Sequence, residues 1–99
     1  MPVLEVAELD SDSGQEEQLA KLSGRIAEFV VRQPGVSRCE LLRGVEEPAR
    51  FLLLITWESL QAHAAFRDSE AFAEYDRMVE GLIAATRFAH YQSLAATPG

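Results

Sequence analysis

The sequence predicts an α+β fold of ferredoxin-like type, βαββαβ, and three observations predict it. Strand-period and helix-period segments follow one another in that order, an unbroken apolar run, FLLLI at 51–55, marks a strand covered on both sides, and no further helix remains to cover the second face of the sheet. One four-stranded antiparallel sheet would carry the helices on a single face. A second copy of the chain, packed sheet to sheet about a twofold axis, would cover the other and make a homodimer.

The first element is a strand from Val3 to Leu9, stopped by the turn formers Asp10, Ser11, Asp12, Ser13 and Gly14. Ser13 with Glu16 three residues on has the form of a capping box and predicts a helix start there. Leu19, Leu22, Ile26, Phe29 and Val30 recur at intervals of three and four, giving that helix one apolar face. Pro34 and Gly35 end it. Val36 to Arg43 mixes apolar with charged residues and suits an edge strand, joined by a hairpin through Gly44, Glu46, Glu47 and Pro48 to a third strand starting at Phe51. Ser59 caps a short helix through Arg67, and Asp68 or Ser69 caps a second one to about Ala85 with the stripe Phe72, Tyr75, Val79, Leu82 and Ile83. Thr86 to Leu94 is read as the last strand, and Ala95 to Gly99 as a frayed tail of a single domain spanning 1–99.

Composition narrows the function classes. Nine Lys plus Arg against sixteen Asp plus Glu give a formal charge of -7, which repels nucleic acid and anionic membrane surfaces. No signal-peptide pattern and no apolar run long enough to span a bilayer is present, so the expected location is the cytoplasm, where the lone Cys39 stays reduced. Two histidines on distant elements and one cysteine make no zinc pattern, and neither a glycine-rich phosphate loop nor a nucleophile elbow occurs.

Chemistry concentrates in FLLLITWESLQAHAAFR, Phe51 to Arg67, where a strand ending at Trp57 runs into a helix carrying His63 and Arg67. These two residues are four apart and share a helix face with Leu60, so they point together either into a cavity or into solvent. In the second case Arg67 would pair with Asp68 or Glu70. Trp57 either stacks on an aromatic ligand or plugs the end of the core. His90 shares a strand face with Phe88 and Gln92 while Tyr91 faces the opposite way, so the two cannot serve the same side of the sheet.

WESLQAH at Trp57–His63, FRDSEAF at Phe66–Phe72 and a last strand with His90 and Tyr91 resemble the antibiotic-biosynthesis monooxygenase-like domains of the dimeric α/β barrel superfamily, and the resemblance spans nearly the whole chain. It implies a small homodimer with a pocket between the sheet and helices of each subunit. It also implies oxidation of phenolic or polyketide-like aromatics by molecular oxygen with no cofactor: no flavin, haem or metal. The haem-degrading branch carries its site on a first-strand asparagine, a helical tryptophan and a histidine; this chain has no asparagine, and Phe66 stands where that tryptophan would fall. Many members also place a histidine where Phe66 sits, whereas here the histidine is His63, three residues earlier.

The expectation is therefore a cofactor-independent enzyme for a small phenol or enol. His63 would be the proton acceptor and Arg67 the holder of the substrate anion, with Trp57, Phe66, Tyr75 and His90 as substrate-binding residues. The competing reading is a non-catalytic homodimer of the same fold that binds a small apolar molecule.

Overall fold

A computed structural model describes residues 1–99. Its elements are β1 (Val3–Ser11), α1 (Glu16–Val31), β2 (Val36–Arg43), β3 (Arg50–Trp57), α2 (Leu60–Arg67), α3 (Glu70–Met78) and β4 (Ile83–Tyr91). The strands form one antiparallel sheet in the order β2-β3-β1-β4, the ferredoxin-like arrangement, with β2 on an edge as its mixed composition predicts.

Alternation along the two central strands divides the sheet. Val3, Glu5, Ala7 and Leu9 of β1 and Phe51, Leu53, Ile55 and Trp57 of β3 face the helices and are all buried. Against them α1 sets Leu19, Ile26 and Val30, each with at most 1% exposure. Burying a side chain of this size is worth about 1.5–3 kcal/mol, so this layer dominates the stability of the fold. The opposite face keeps Leu4, Val6, Leu52 and Leu54 half-buried, with Leu42 and Tyr91 exposed beside them. FLLLI is thus apolar on both sides, as read from the sequence.

Several boundaries depart from expectation. The Ser13 capping box does not form: Gln15 N–H bonds to Asp12 O at 2.9 Å in a turn through Gly14 at φ 78°, and α1 starts at Glu16 without a side-chain cap. β1 continues to Ser11 because the backbone N–H of Ser11 bonds to Ala49 O at 2.9 Å. The second predicted helix is cut short at Met78. Gly81 takes φ 77° and Leu82 N–H closes a turn on Val79 O at 3.0 Å, so Ile83 opens β4 and that strand ends at Tyr91, not Leu94. The spacing of Val79, Leu82 and Ile83 imitates a helical stripe although Val79 and Leu82 are buried through a turn.

Candidate active site

Sequence and local geometry deliver α2 to the mouth of the core. Trp57 ends β3, and Ser59 is extended (φ -164°, ψ 164°) with its side chain accepting from Ala62 N–H at 3.1 Å, which starts the helix immediately. Glu58 N–H bonds to Gly35 O at 2.7 Å, tying this corner to the end of α1. From that start His63 and Phe66 fall on the buried face and Arg67 on its last turn. Leu60, expected on the same face, is instead exposed.

His63 lies flat on the indole of Trp57, ring centroids 4.8 Å apart and planes 17° from parallel. Its Nε2 is 3.3 Å from Glu5 Oε1, and its Nδ1 is 2.7 Å from Nε2 of His90 on β4. The Trp57 indole N–H donates to the same Glu5 Oε1 at 2.9 Å. Glu5 and His63 are the only polar or charged residues among the fully buried set, at 6% and 5% exposure. One imidazole uses its opposite nitrogens for the two partners, so Glu5, His63 and His90 do not converge on a point and build no metal site.

These groups border a cavity of about 290 Å³ between sheet and helices, with Ala7, Leu9, Leu53, Ile55, Phe66 and Phe72 as its apolar wall. Glu5, His63, Arg67, Tyr75, Asp76 and Thr86 bring polar atoms to it, and Phe88 stands at its edge. No fully buried side-chain nitrogen or oxygen lacks a hydrogen-bond partner. Glu5 Oε2 has no protein partner, and it is therefore the oxygen open to the cavity.

Burial governs the charges. It raises the Glu5 carboxyl above its ordinary range, opposed by the Trp57 hydrogen bond and the positive charge of Arg67. It also lowers His63 to about 4, helped by His90 and Arg67. An ionised carboxylate 3.3 Å away would by itself favour an imidazolium. In a site this dry, withdrawing charge from water dominates, and the neutral imidazole is the form we assign. Burial, then the charges of Glu5, Asp76 and Cys39, pushes Tyr75 up to about 12, so its phenol stays protonated and available as a donor. Cys39 is pushed up to about 11 by burial and by Glu5, which makes it an inert thiol.

Of the residues singled out from the sequence, His63, Arg67, Phe66 and Tyr75 line the cavity together. Arg67 pairs with neither Asp68 nor Glu70; its guanidinium carbon sits 5.0 Å from the centroid of the Phe88 ring. Trp57 and His90 do not line the cavity. Trp57 has 0% exposure and supports His63 from behind, while His90 meets His63 from β4. Sequence reading missed Glu5. The available signal was its phase: in VLEVAEL it alternates with Val3, Ala7 and Leu9, a carboxylate on the core side of a strand.

The model of the family described as "Antibiotic biosynthesis monooxygenase" matches residues 2–78. The chain belongs to this family. Among solved structures, a candidate antibiotic biosynthesis monooxygenase from Bordetella bronchiseptica is 25% identical, with a TM-score of 0.87 over 95% of this chain and 98% of that one. SnoaB, a cofactor-independent oxygenase from Streptomyces nogalater, is 19% identical at a TM-score of 0.81, over 99% of this chain and 98% of its own. A further candidate monooxygenase of the same description, from Deinococcus radiodurans, is 16% identical at a TM-score of 0.79, over 97% and 96% of the two chains. No curated protein sequence matches this chain. The last two likenesses speak for the fold of this antibiotic biosynthesis monooxygenase family member. No helix is long and apolar enough to cross a membrane.

Proposed function

We propose that the chain is a cofactor-independent oxygenase for a small electron-rich phenol or enol, acting as a homodimer. The observation that carries this reading is an apolar-walled cavity of about 290 Å³ with a buried carboxyl–imidazole pair, Glu5 and His63, at its inner wall and a cation, Arg67, at its rim. A flat aromatic of two or three rings suits such walls. The similarity to SnoaB, itself a cofactor-independent oxygenase, supports the same reaction class.

The reaction begins when the buried pair removes a proton from the substrate. Arg67 holds the resulting phenolate or enolate, and Tyr75 donates to an oxygen of the substrate. The anion gives one electron to molecular oxygen, and the radical and superoxide combine as a peroxide anion. That anion regains a proton and loses water together with the hydrogen still on the reacting carbon, leaving a carbonyl. One oxygen atom ends in the product and the other in water. The protein's part is to hold the substrate dry and keep its anion near a fixed positive charge.

The half-buried Leu4, Val6, Leu52 and Leu54, with exposed Leu42 and Tyr91, give the second copy its seat on the free face of the sheet.

Oxygen uptake with a panel of anthrones and hydroquinones tests the reading. Turnover by the wild-type chain, cut about a hundredfold or more in His63→Ala and with a raised KM in Arg67→Gln, is the expected result. Tight binding of these compounds with no oxygen uptake would instead favour a binding protein.

A further inference from the structure

We infer that Glu5, not His63, is the group that takes the proton from the bound phenol or enol, and that His63 is a positioning residue fixed from behind by His90. The inference rests on the proposed reading of the site as one that ionises an aromatic substrate.

The geometry of the lone pairs carries it. A base must offer the substrate an unshared pair within hydrogen-bond reach. His63 is poorly set to do so: Nδ1 is engaged by His90 at 2.7 Å, and Nε2 is turned toward Glu5 Oε1, a charge contact at 3.3 Å without hydrogen-bond alignment. With Glu5 ionised, Nε2 carries the proton, because a lone pair there would otherwise face the carboxylate oxygen 3.3 Å away. His63 Nδ1 is then an acceptor, and His90 Nε2–H donates to it. His90 thereby selects the tautomer of His63.

Glu5 is held the other way round. Its Oε1 receives the Trp57 N–H at 2.9 Å and has His63 Nε2 beside it at 3.3 Å, while Oε2 has no protein donor and opens to the cavity. When the substrate's proton arrives on Oε2, the Trp57 donor to Oε1 and the His63 contact beside it stay where they are. The transfer breaks one substrate O–H or C–H bond and forms one O–H bond on Glu5, with the electron pair left on the substrate beside Arg67. No other contact in the site has to change.

The remaining ionisable groups around the cavity fit. Tyr75 of α3 stays a neutral donor, Cys39 of β2 stays a thiol, and Asp76 lies exposed at the rim. Arg67 of α2 is the one cation lining the cavity. Burial makes Glu5 a stronger base than a surface glutamate and His63 a weaker one than a free imidazole.

The test uses 4-nitrophenol, whose phenolate absorbs visibly, with the full-length protein across pH 5–8, followed by absorbance and by the infrared carbonyl band of a protonated carboxyl group. The expected result is that the bound probe is ionised more than the free probe at the same pH while a carboxylic-acid band appears. In Glu5→Gln, which keeps an acceptor for the Trp57 N–H, both signals should vanish and the ionised fraction should fall about tenfold, with affinity for the neutral phenol retained. His90→Phe should shift the pH at which the bound probe ionises, and His90→Gln, which restores a donor, should return it. Equal ionisation of the probe in wild type and Glu5→Gln overturns the inference and leaves the oxygenase reading intact with a different base. Ionisation lost in Glu5→Gln, together with no oxygen uptake on any substrate, keeps Glu5 as the acceptor and removes the oxygenase. No binding of the probe at millimolar concentration overturns both.

Discussion

Glu5 and Trp57 lie on neighbouring antiparallel strands, one diagonal step apart, and the indole N–H of Trp57 donates to Glu5 Oε1 at 2.9 Å with the tryptophan fully buried. Trp57 pairs in register with Val3 and Glu5 with Ile55, so the bond crosses the β1–β3 ladder on its helix side. Through it the sheet, and not the helix, fixes the orientation of the carboxylate.

Trp57→Phe removes that donor and leaves a gap beneath His63. The expected cost is about 2–3 kcal/mol in urea unfolding, combining a lost bond to a charged acceptor with imperfect filling of the site. Because the Trp57 bond lowers the Glu5 pKa, the variant should also titrate Glu5 at higher pH than the wild type. An unchanged carboxyl band position across pH would contradict this.

The stability of the chain should carry the signature of His63. Its folded pKa of about 4 lies below the ordinary 6.5, so its contribution is fully present above pH 6.5 and is lost as pH falls through 4. Glu5, raised in the fold, works in the opposite sense and favours the native state as pH falls. Over this window the wild type should lose on the order of 2 kcal/mol relative to His63→Phe. Parallel stability curves for the two proteins would refute the assignment of a buried, neutral imidazole.

Gly35 holds α2 in place. It sits at φ 85°, and a Cβ there would come within 2.6 Å of the Ala62 Cβ, an atom that cannot swing away. Gly35→Ala is expected to cost about 2 kcal/mol or more by chemical denaturation, through left-handed strain and displacement of the helix that carries His63. A neutral substitution would mean that the corner is free to move.

Leu54 stands at the centre of the free sheet face, paired with Val6 and Glu40. A charge there cannot be buried between two sheets without a partner. Leu54→Glu should convert a dimer to monomers in sedimentation velocity while leaving the monomer folded. If the wild type already sediments as a monomer at high concentration, the sheet-to-sheet assembly is wrong.

Strands, helices and their order were legible in the chain because each has a local cause: alternation in β1, the 3–4 spacing of α1, the Ser59 hydroxyl at the start of α2, and Pro34 with Gly35 between α1 and β2. The end of α3 was not legible. Val79, Leu82 and Ile83 satisfy helical spacing, and only the left-handed Gly81 together with the Asp12 N–H to Leu82 O bond at 2.8 Å pulls them into a turn and a strand.

For the site, the sequence by itself determined that Trp57, His63, Phe66 and Arg67 come from one strand-to-helix corner, since helix geometry alone places residues three and four apart on one face. Which way that face turns was decided by tertiary packing, which set His63 against the indole with Glu5 and His90 on its two nitrogens. Glu5 and His63 are 58 residues apart in sequence, and His90 arrives from the far edge strand. No local pattern encodes their meeting: it follows from a sheet in which β1 lies between β3 and β4, so that a carboxylate, an indole and two imidazoles on separate segments share one buried face.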